Sequence, residues 1–170
     1  KEVYCNNTVD QSQGVGPNKI PNPNVINCEH TWPQSKFSKE FPTELQKTDL
    51  HHLFPVDMKA NSTRSNNIFA EVDGRPTHNN CTDSMIGNAL GTSTRAFEPP
   101  IEHRGNVARA IYYFSTRYKM NIDAIQAKYL KKWNAEDPVD EAEMERNEKI
   151  MQLQGNRNPF IDYPELINRL

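Results

Sequence analysis

Two short apolar stretches, "VINCEH" (25–30) and "LHHLFPV" (50–56), are each bounded by proline or polar turn formers, and the second runs straight into Asp57 and "MKANSTRSNNIF" (58–69). Short runs with these boundaries predict strands. Asp57 stands where a helix N-cap belongs, its carboxylate placed to accept from the first unpaired N–H groups. Residues 25–69 therefore predict the order strand, loop, strand, helix, a compact ββα unit. Asn, Ser and Thr are indifferent helix formers, so a helix built from them has a purpose other than its own stability.

The flanks differ in character. Residues 1–24 predict a loop-rich arm, crowded with Asn, Gly and Pro from residue 6 onward. Residues 71–100 carry turn signals ("VDGRP", "IGNALGTS", "EPP") and predict loops with short strands at most. Apolar residues then recur at helical spacing over 104–119 and 122–134, and a third helix is expected from Pro138 at its first turn to Gln154, stopped by Gly155. The expected fold class is α+β, a single domain over 1–170 with 104–155 as helical scaffold. No apolar run approaches the ~20 residues that span a bilayer. The chain opens on Lys1 without a charged-then-apolar leader, so it reads as a processed product whose signal peptide is gone.

Net charge is −2, but seven acids and one base fall within 136–148, which leaves the remainder with 19 bases against 15 acids. A mildly basic remainder is compatible with a polyanion partner, and the acidic run reads as the solvated face of a helix. Cys5, Cys28 and Cys81 permit at most one disulfide, its pairing open, and show no CxxC-like spacing for a metal.

Chemistry concentrates in the ββα segment. Two strands and a helix can hold the carboxylate of Glu29, the imidazole of His30 and the carboxamide of Asn61 around one point, the combination of hard-cation ligands and base that phosphodiester hydrolysis needs. The blocks "CEHTWPQS", "DLHHLFPVDMKANSTRSN", "RGNVARAIYYF" and "QGNRNPF", in that order from about Val25 to Phe160, resemble the bacterial endonuclease I family. That family comprises secreted or periplasmic non-specific nucleases of the ββα-metal (His-Me finger) class.

The resemblance implies a ββα-metal core inside a mainly helical body, with His30 as general base and Glu29 and Asn61 as ligands of Mg²⁺, with Mn²⁺ or Ca²⁺ as competitors. It implies cleavage of DNA, RNA being left open, to 5′-phosphate and 3′-hydroxyl ends by a monomer outside the cytoplasm. Arg64, one turn beyond Asn61, is a candidate catalytic cation on the phosphate, with a structural ion pair as its rival. Asp49 and His51 resemble supporting residues, while His52 reads as ordinary. Asn66, Asn156 and Asn158 are supporting candidates, the last two tying the tail back toward the site. Family members draw a phosphate-binding arginine from the connection between the strands; residues 31–48 here contain none, so Lys36, Lys39 and Lys47 are the replacements, without the bidentate contact an arginine offers.

Each site residue has a bland rival: a structural histidine for His30, a salt-bridge partner for Glu29, an exposed helix residue for Asn61. Strand alternation adds a constraint, since neighbours in an extended strand point to opposite faces, so the backbone is expected to leave extended geometry near Glu29-His30. Two other function classes stay open. One is a nucleic-acid binding module with a structural ion and no turnover; the other is a zinc site around His51 and His52.

Overall fold

The computed structural model describes residues 1–16 and 19–170; Pro17 and Asn18, within the expected arm, lie outside the described residues. In chain order the main elements are β1 (Ile26–His30), α1 (Thr43–Lys47), β2 (Leu53–Asp57), α2 (Met58–Arg64), β3 (Ile68–Phe69), β4 (Val72–His78), β5 (Cys81–Ala89), β6 (Arg95–Glu98), α3 (Arg104–Arg117), α4 (Ala124–Glu136), α5 (Glu141–Gln154) and α6 (Pro159–Asp162). The mixture of helix and sheet is the α+β class. Strand, loop, strand, helix appears in the expected order, but β2 begins only at Leu53, and the helix expected over 58–69 ends at Arg64, Ile68–Phe69 forming β3 instead; Asp57 caps α2 through the Ala60 N–H (2.9 Å). The chain divides into two compact units, residues 1–29 with 54–101 and residues 30–53 with 102–170, the boundary falling on the Glu29–His30 peptide bond.

The first unit contains a sheet that the sequence did not announce. Its order is β3-β6-β5-β4, with β3 parallel to β6 and the other pairs antiparallel. Phe69, Phe97 and Ile86 are in register on one buried face, and Ala96 is buried on the other. The turn-forming residues Gly74 and Pro76 lie inside β4, most of which is exposed, so apolar alternation is absent there. Pro76 is tolerated because β4 is the edge strand, where a missing N–H breaks no ladder. Gly74 sits opposite Gly87, and a Cβ on either would run into the facing backbone. Both glycines are thus requirements of the pairing rather than turn signals. A disulfide joins Cys5 to Cys81 and leaves Cys28 as an exposed thiol.

The second unit is helical. α3 buries Val107, Ala108, Ile111 and the run Tyr112–Phe114. Asp123 caps α4; α5 starts at Glu141 behind its cap Asp140, three residues later than expected from Pro138, and is closed by Gly155 in the left-handed region (φ 83°). The acidic run is only partly a solvated face. Asp140 caps α5, and Glu143 is buried against Arg109.

His103 is buried in this unit, and its imidazole is pushed down to about 3 by burial, with the Arg146 and Arg109 cations acting in the same direction. The unfolded chain therefore takes up a proton near pH ~6.5 that the folded chain refuses until much lower pH. Between those two values stability falls with falling pH, by about 1.4 kcal/mol per unit for this group. Thermal unfolding followed from pH 7 to 4 is expected to show that slope, and His103→Gln is expected to flatten it.

Candidate active site

In the first unit, Glu29 is 2% exposed on β1, and its Oε1 accepts from the Tyr4 hydroxyl (2.7 Å) and pairs with Arg64 Nη1 (2.8 Å). Arg64 is itself buried and lies over the Phe69 ring, 4.4 Å from its centroid. The guanidinium is thus a structural partner of Glu29, and the expectation that it reaches a phosphate gives way to its rival. Because Arg64 follows Asn61 by three residues, the two share a face of α2; the ion pair fastens that face to Glu29. The Tyr4 and Arg64 contacts both fall on Glu29 Oε1, and Asn61 is partly exposed. Two hard oxygen donors on fastened elements fit a cation of the Mg²⁺ type, which prefers few protein ligands.

In the second unit, His30 is partly exposed and its ring is framed by backbone. Its Nε2 lies 3.0 Å from the Lys47 carbonyl, which can only accept, so Nε2 carries the hydrogen and Nδ1 the lone pair, with Gln34 Nε2 3.3 Å away. This frame follows from α1. A helix leaves its last carbonyls without intrahelical partners, and in α1 each is taken from outside the helix. Glu44 accepts from Thr48, Leu45 from the Tyr118 hydroxyl, Gln46 from His52 Nε2 (2.8 Å) and Lys47 from His30. The His52 ring also stands 5.3 Å from that of His30, and Thr31 N–H donates to the His52 carbonyl. His52, read as ordinary, is therefore the histidine beside His30.

His51 is buried elsewhere: Nε2 donates to the Asn156 carbonyl (3.0 Å), the ring packs on Tyr113, and burial holds its basicity below the ordinary imidazole value. Asp49 gathers the hydroxyls of Tyr113 (2.9 Å) and Tyr118 (2.8 Å), Arg117 Nε (3.3 Å) and Gln154 Nε2 (2.9 Å). Asn156 donates to the Tyr113 hydroxyl, whereas Asn158 caps α6 and donates to the Arg109 carbonyl. Asp49, His51 and Asn156 thus form one network that clamps the tail within this unit, and Asn158 ties the tail to α3. Asn66 is exposed just beyond α2, where Asn67 makes the bonds to the Arg64 carbonyl. Lys36, Lys39 and Lys47 are exposed, and Lys47 stands 3.9 Å from Glu44.

Two expectations need correction. β1 stays extended through His30, so Glu29 is buried and His30 partly exposed as alternation demands, and the backbone does not leave the strand at that pair. A zinc centre at His51 and His52 finds no support, because among the described residues neither histidine belongs to a group of three His, Cys, Asp or Glu donors that could hold an ion. Cys5, His78 and Cys81 do bring their ligand atoms within 4.8 Å of one another, but the two sulfurs are spent on each other and His78 turns to Asp57 (3.1 Å).

A family model described as Endonuclease I matches residues 2–165. The chain is 36% identical over 115 residues to an extracellular deoxyribonuclease of Aeromonas hydrophila, covering 67% of this chain and 48% of that protein. It is 34% identical over 114 residues to a periplasmic deoxyribonuclease of the same organism, covering 67% and 47%. It is 35% identical over 159 residues to an extracellular ribonuclease of Bacillus subtilis (strain 168), covering 82% and 51%. The chain spans about half the length of these curated relatives. No helix of the described residues is long and apolar enough to cross a membrane.

Proposed function

Because the chain belongs to the endonuclease I family, we propose that it is a divalent-cation-dependent endonuclease. It hydrolyses phosphodiester bonds of DNA, and of RNA, with little base specificity, leaving 5′-phosphate and 3′-hydroxyl ends. The observation that carries this reading is the Arg64–Glu29 clasp, which fastens the Asn61 face of α2 to β1 through a single oxygen of Glu29. We read β1, β2 and α2 as a ββα-metal, or His-Me finger, element. The family match across both units supports reading 1–170 as one domain.

Glu29 Oε2 and the Asn61 carboxamide oxygen are the donors for the cation, with Mg²⁺ the best fit and Mn²⁺ or Ca²⁺ the competitors. When bound, such an ion offsets the negative charge that builds on the phosphate during attack. His30 takes the proton from the attacking water at Nδ1, and the Lys47 carbonyl fixes the tautomer that makes Nδ1 the basic atom. Arg64 holds the Glu29 carboxylate in one orientation. Lys36, Lys39 and Lys47 are exposed cations that draw the nucleic-acid backbone electrostatically. The extracellular and periplasmic relatives, together with the Cys5–Cys81 disulfide, support action in an oxidising compartment outside the cytoplasm.

Incubation with supercoiled plasmid and with structured RNA in Mg²⁺ buffer is expected to give nicked, then linear and fragmented products, and EDTA is expected to abolish them. Retarded bands without cleavage at any cation concentration would establish the competing reading, a binding module with a structural ion.

A further inference from the structure

We propose that Tyr4 is a positioning residue of the cation site, presented by a hook formed from residues 2–7. The inference rests on reading Glu29 as a cation ligand. Tyr4 is 1% exposed, its ring packs against Phe97 with centroids 4.7 Å apart, and its hydroxyl donates to Glu29 Oε1 at 2.7 Å.

The segment that delivers this hydroxyl has no strand or helix of its own, yet it is tied down along its length. The buried Glu2 carboxylate accepts four backbone N–H groups, those of Cys5 (2.9 Å) and Asn7 (3.0 Å) on Oε1 and those of Tyr4 (2.9 Å) and Asp57 (2.9 Å) on Oε2. The Val3 N–H donates to the Pro55 carbonyl, the Tyr4 carbonyl accepts from Ser84 Oγ (2.6 Å), and Cys5 is bonded to Cys81. Through Asp57 the hook also touches the cap of α2, the helix that carries Asn61. Residues 2–7 thus link the strand of one oxygen donor to the helix of the other.

Tyr4 and Arg64 hold the same oxygen by different means. Arg64 brings a full positive charge beside the carboxylate, which orients it but repels a second cation. The tyrosine hydroxyl orients the carboxylate without adding charge. With Oε1 fixed by two donors the carboxylate cannot rotate, so Oε2 is presented with little ordering cost on binding, as outer partners of metal ligands generally achieve. A buried tyrosine that merely needed a partner for its hydroxyl would contribute to stability alone.

The two accounts separate by experiment. Tyr4→Phe keeps the ring and its packing on Phe97. Mn²⁺ affinity measured by calorimetry on the full chain is expected to fall about tenfold, the lower end of the range for losing such an outer partner. Thermal stability should stay close to that of the parent, and cleavage at saturating Mn²⁺ should fall by less than about twofold. Phe97→Leu, which loosens the hook without touching the hydroxyl, is expected to lower stability and leave Mn²⁺ affinity unchanged. Unchanged affinity in Tyr4→Phe overturns the inference, and so does an equal loss in Phe97→Leu. Glu29→Gln, measured alongside, distinguishes the two levels. If it binds Mn²⁺ as the parent does, the assignment of Glu29 as ligand fails; if it loses the ion while Tyr4→Phe keeps it, only the role of Tyr4 falls.

Discussion

Plasmid cleavage by His30→Ala in saturating Mg²⁺ is expected to be about 10²- to 10⁴-fold slower than by the parent, the range that a positioned general base contributes. Binding of the cation should change little, and the melting temperature should fall only by what the Lys47 carbonyl loses with its donor. The reason lies in the frame of the ring. The Lys47 carbonyl takes the Nε2 hydrogen, so the neutral imidazole has its lone pair on Nδ1, where the Gln34 amide nitrogen stands 3.3 Å away on a partly exposed ring and is the donor that the attacking water replaces. A histidine that served only to satisfy the end of α1 would cost stability when removed, because it would orphan one carbonyl, and would spare the rate. His30→Gln sharpens the comparison, since its amide can still donate to the Lys47 carbonyl but cannot act as a base; it is expected to retain stability and remain as slow as the alanine variant. The parent should lose rate on acidification, because the protonated ring cannot accept from water. Full activity in His30→Ala, or a flat profile from pH 5 to 8, would remove His30 from this role.

What the sequence made legible was what local chemistry decides. Asp57 and Gly155 mark helix ends wherever they fall, because a cap needs only its own side chain or its own positive φ. The sheet of β3 to β6 was illegible for the opposite reason. Its edge strand β4 is largely exposed and interrupted by Gly74 and Pro76, and the Gly74–Gly87 pairing is a relation between strands that neither stretch displays alone. The site divides in the same way. Glu29, His30 and Asn61 could be nominated because their side chains carry the chemistry. Their supports could not, since the atom that orients His30 is a backbone carbonyl, available on any residue, and the hydroxyl that orients Glu29 arrives from Tyr4 in a stretch that reads as loop. Arg64 could be placed on the face of Asn61 by spacing, but whether it met a phosphate or a carboxylate depended on β1, a separate segment of the chain.

Glu143→Ala is expected to be among the most destabilising single changes in the helical unit, by about 3 to 5 kcal/mol, because it leaves a buried cation uncompensated. Arg109 is 1% exposed and grips both oxygens of Glu143, through Nε at 2.8 Å and Nη2 at 2.6 Å. Its Nη1 donates to Asn134 Oδ1 (3.1 Å) and to the Asp137 carbonyl (2.9 Å), so it joins α3, the end of α4 and the start of α5. Burial pushes the Glu143 carboxyl up in spite of the guanidinium beside it. The desolvation cost of a buried ion pair offsets much of its attraction, so its net gain over an apolar pair is small. That balance makes two outcomes diverge. Removing one partner exposes the full cost of the other, whereas Arg109→Met with Glu143→Leu removes both charges at similar volume and is expected to recover most of the loss. Urea denaturation of parent, single and double variants measures this directly. A single variant within about 1 kcal/mol of the parent, the median worth of an exposed pair, would show that water reaches the guanidinium and that the three helices are held by their apolar contacts alone.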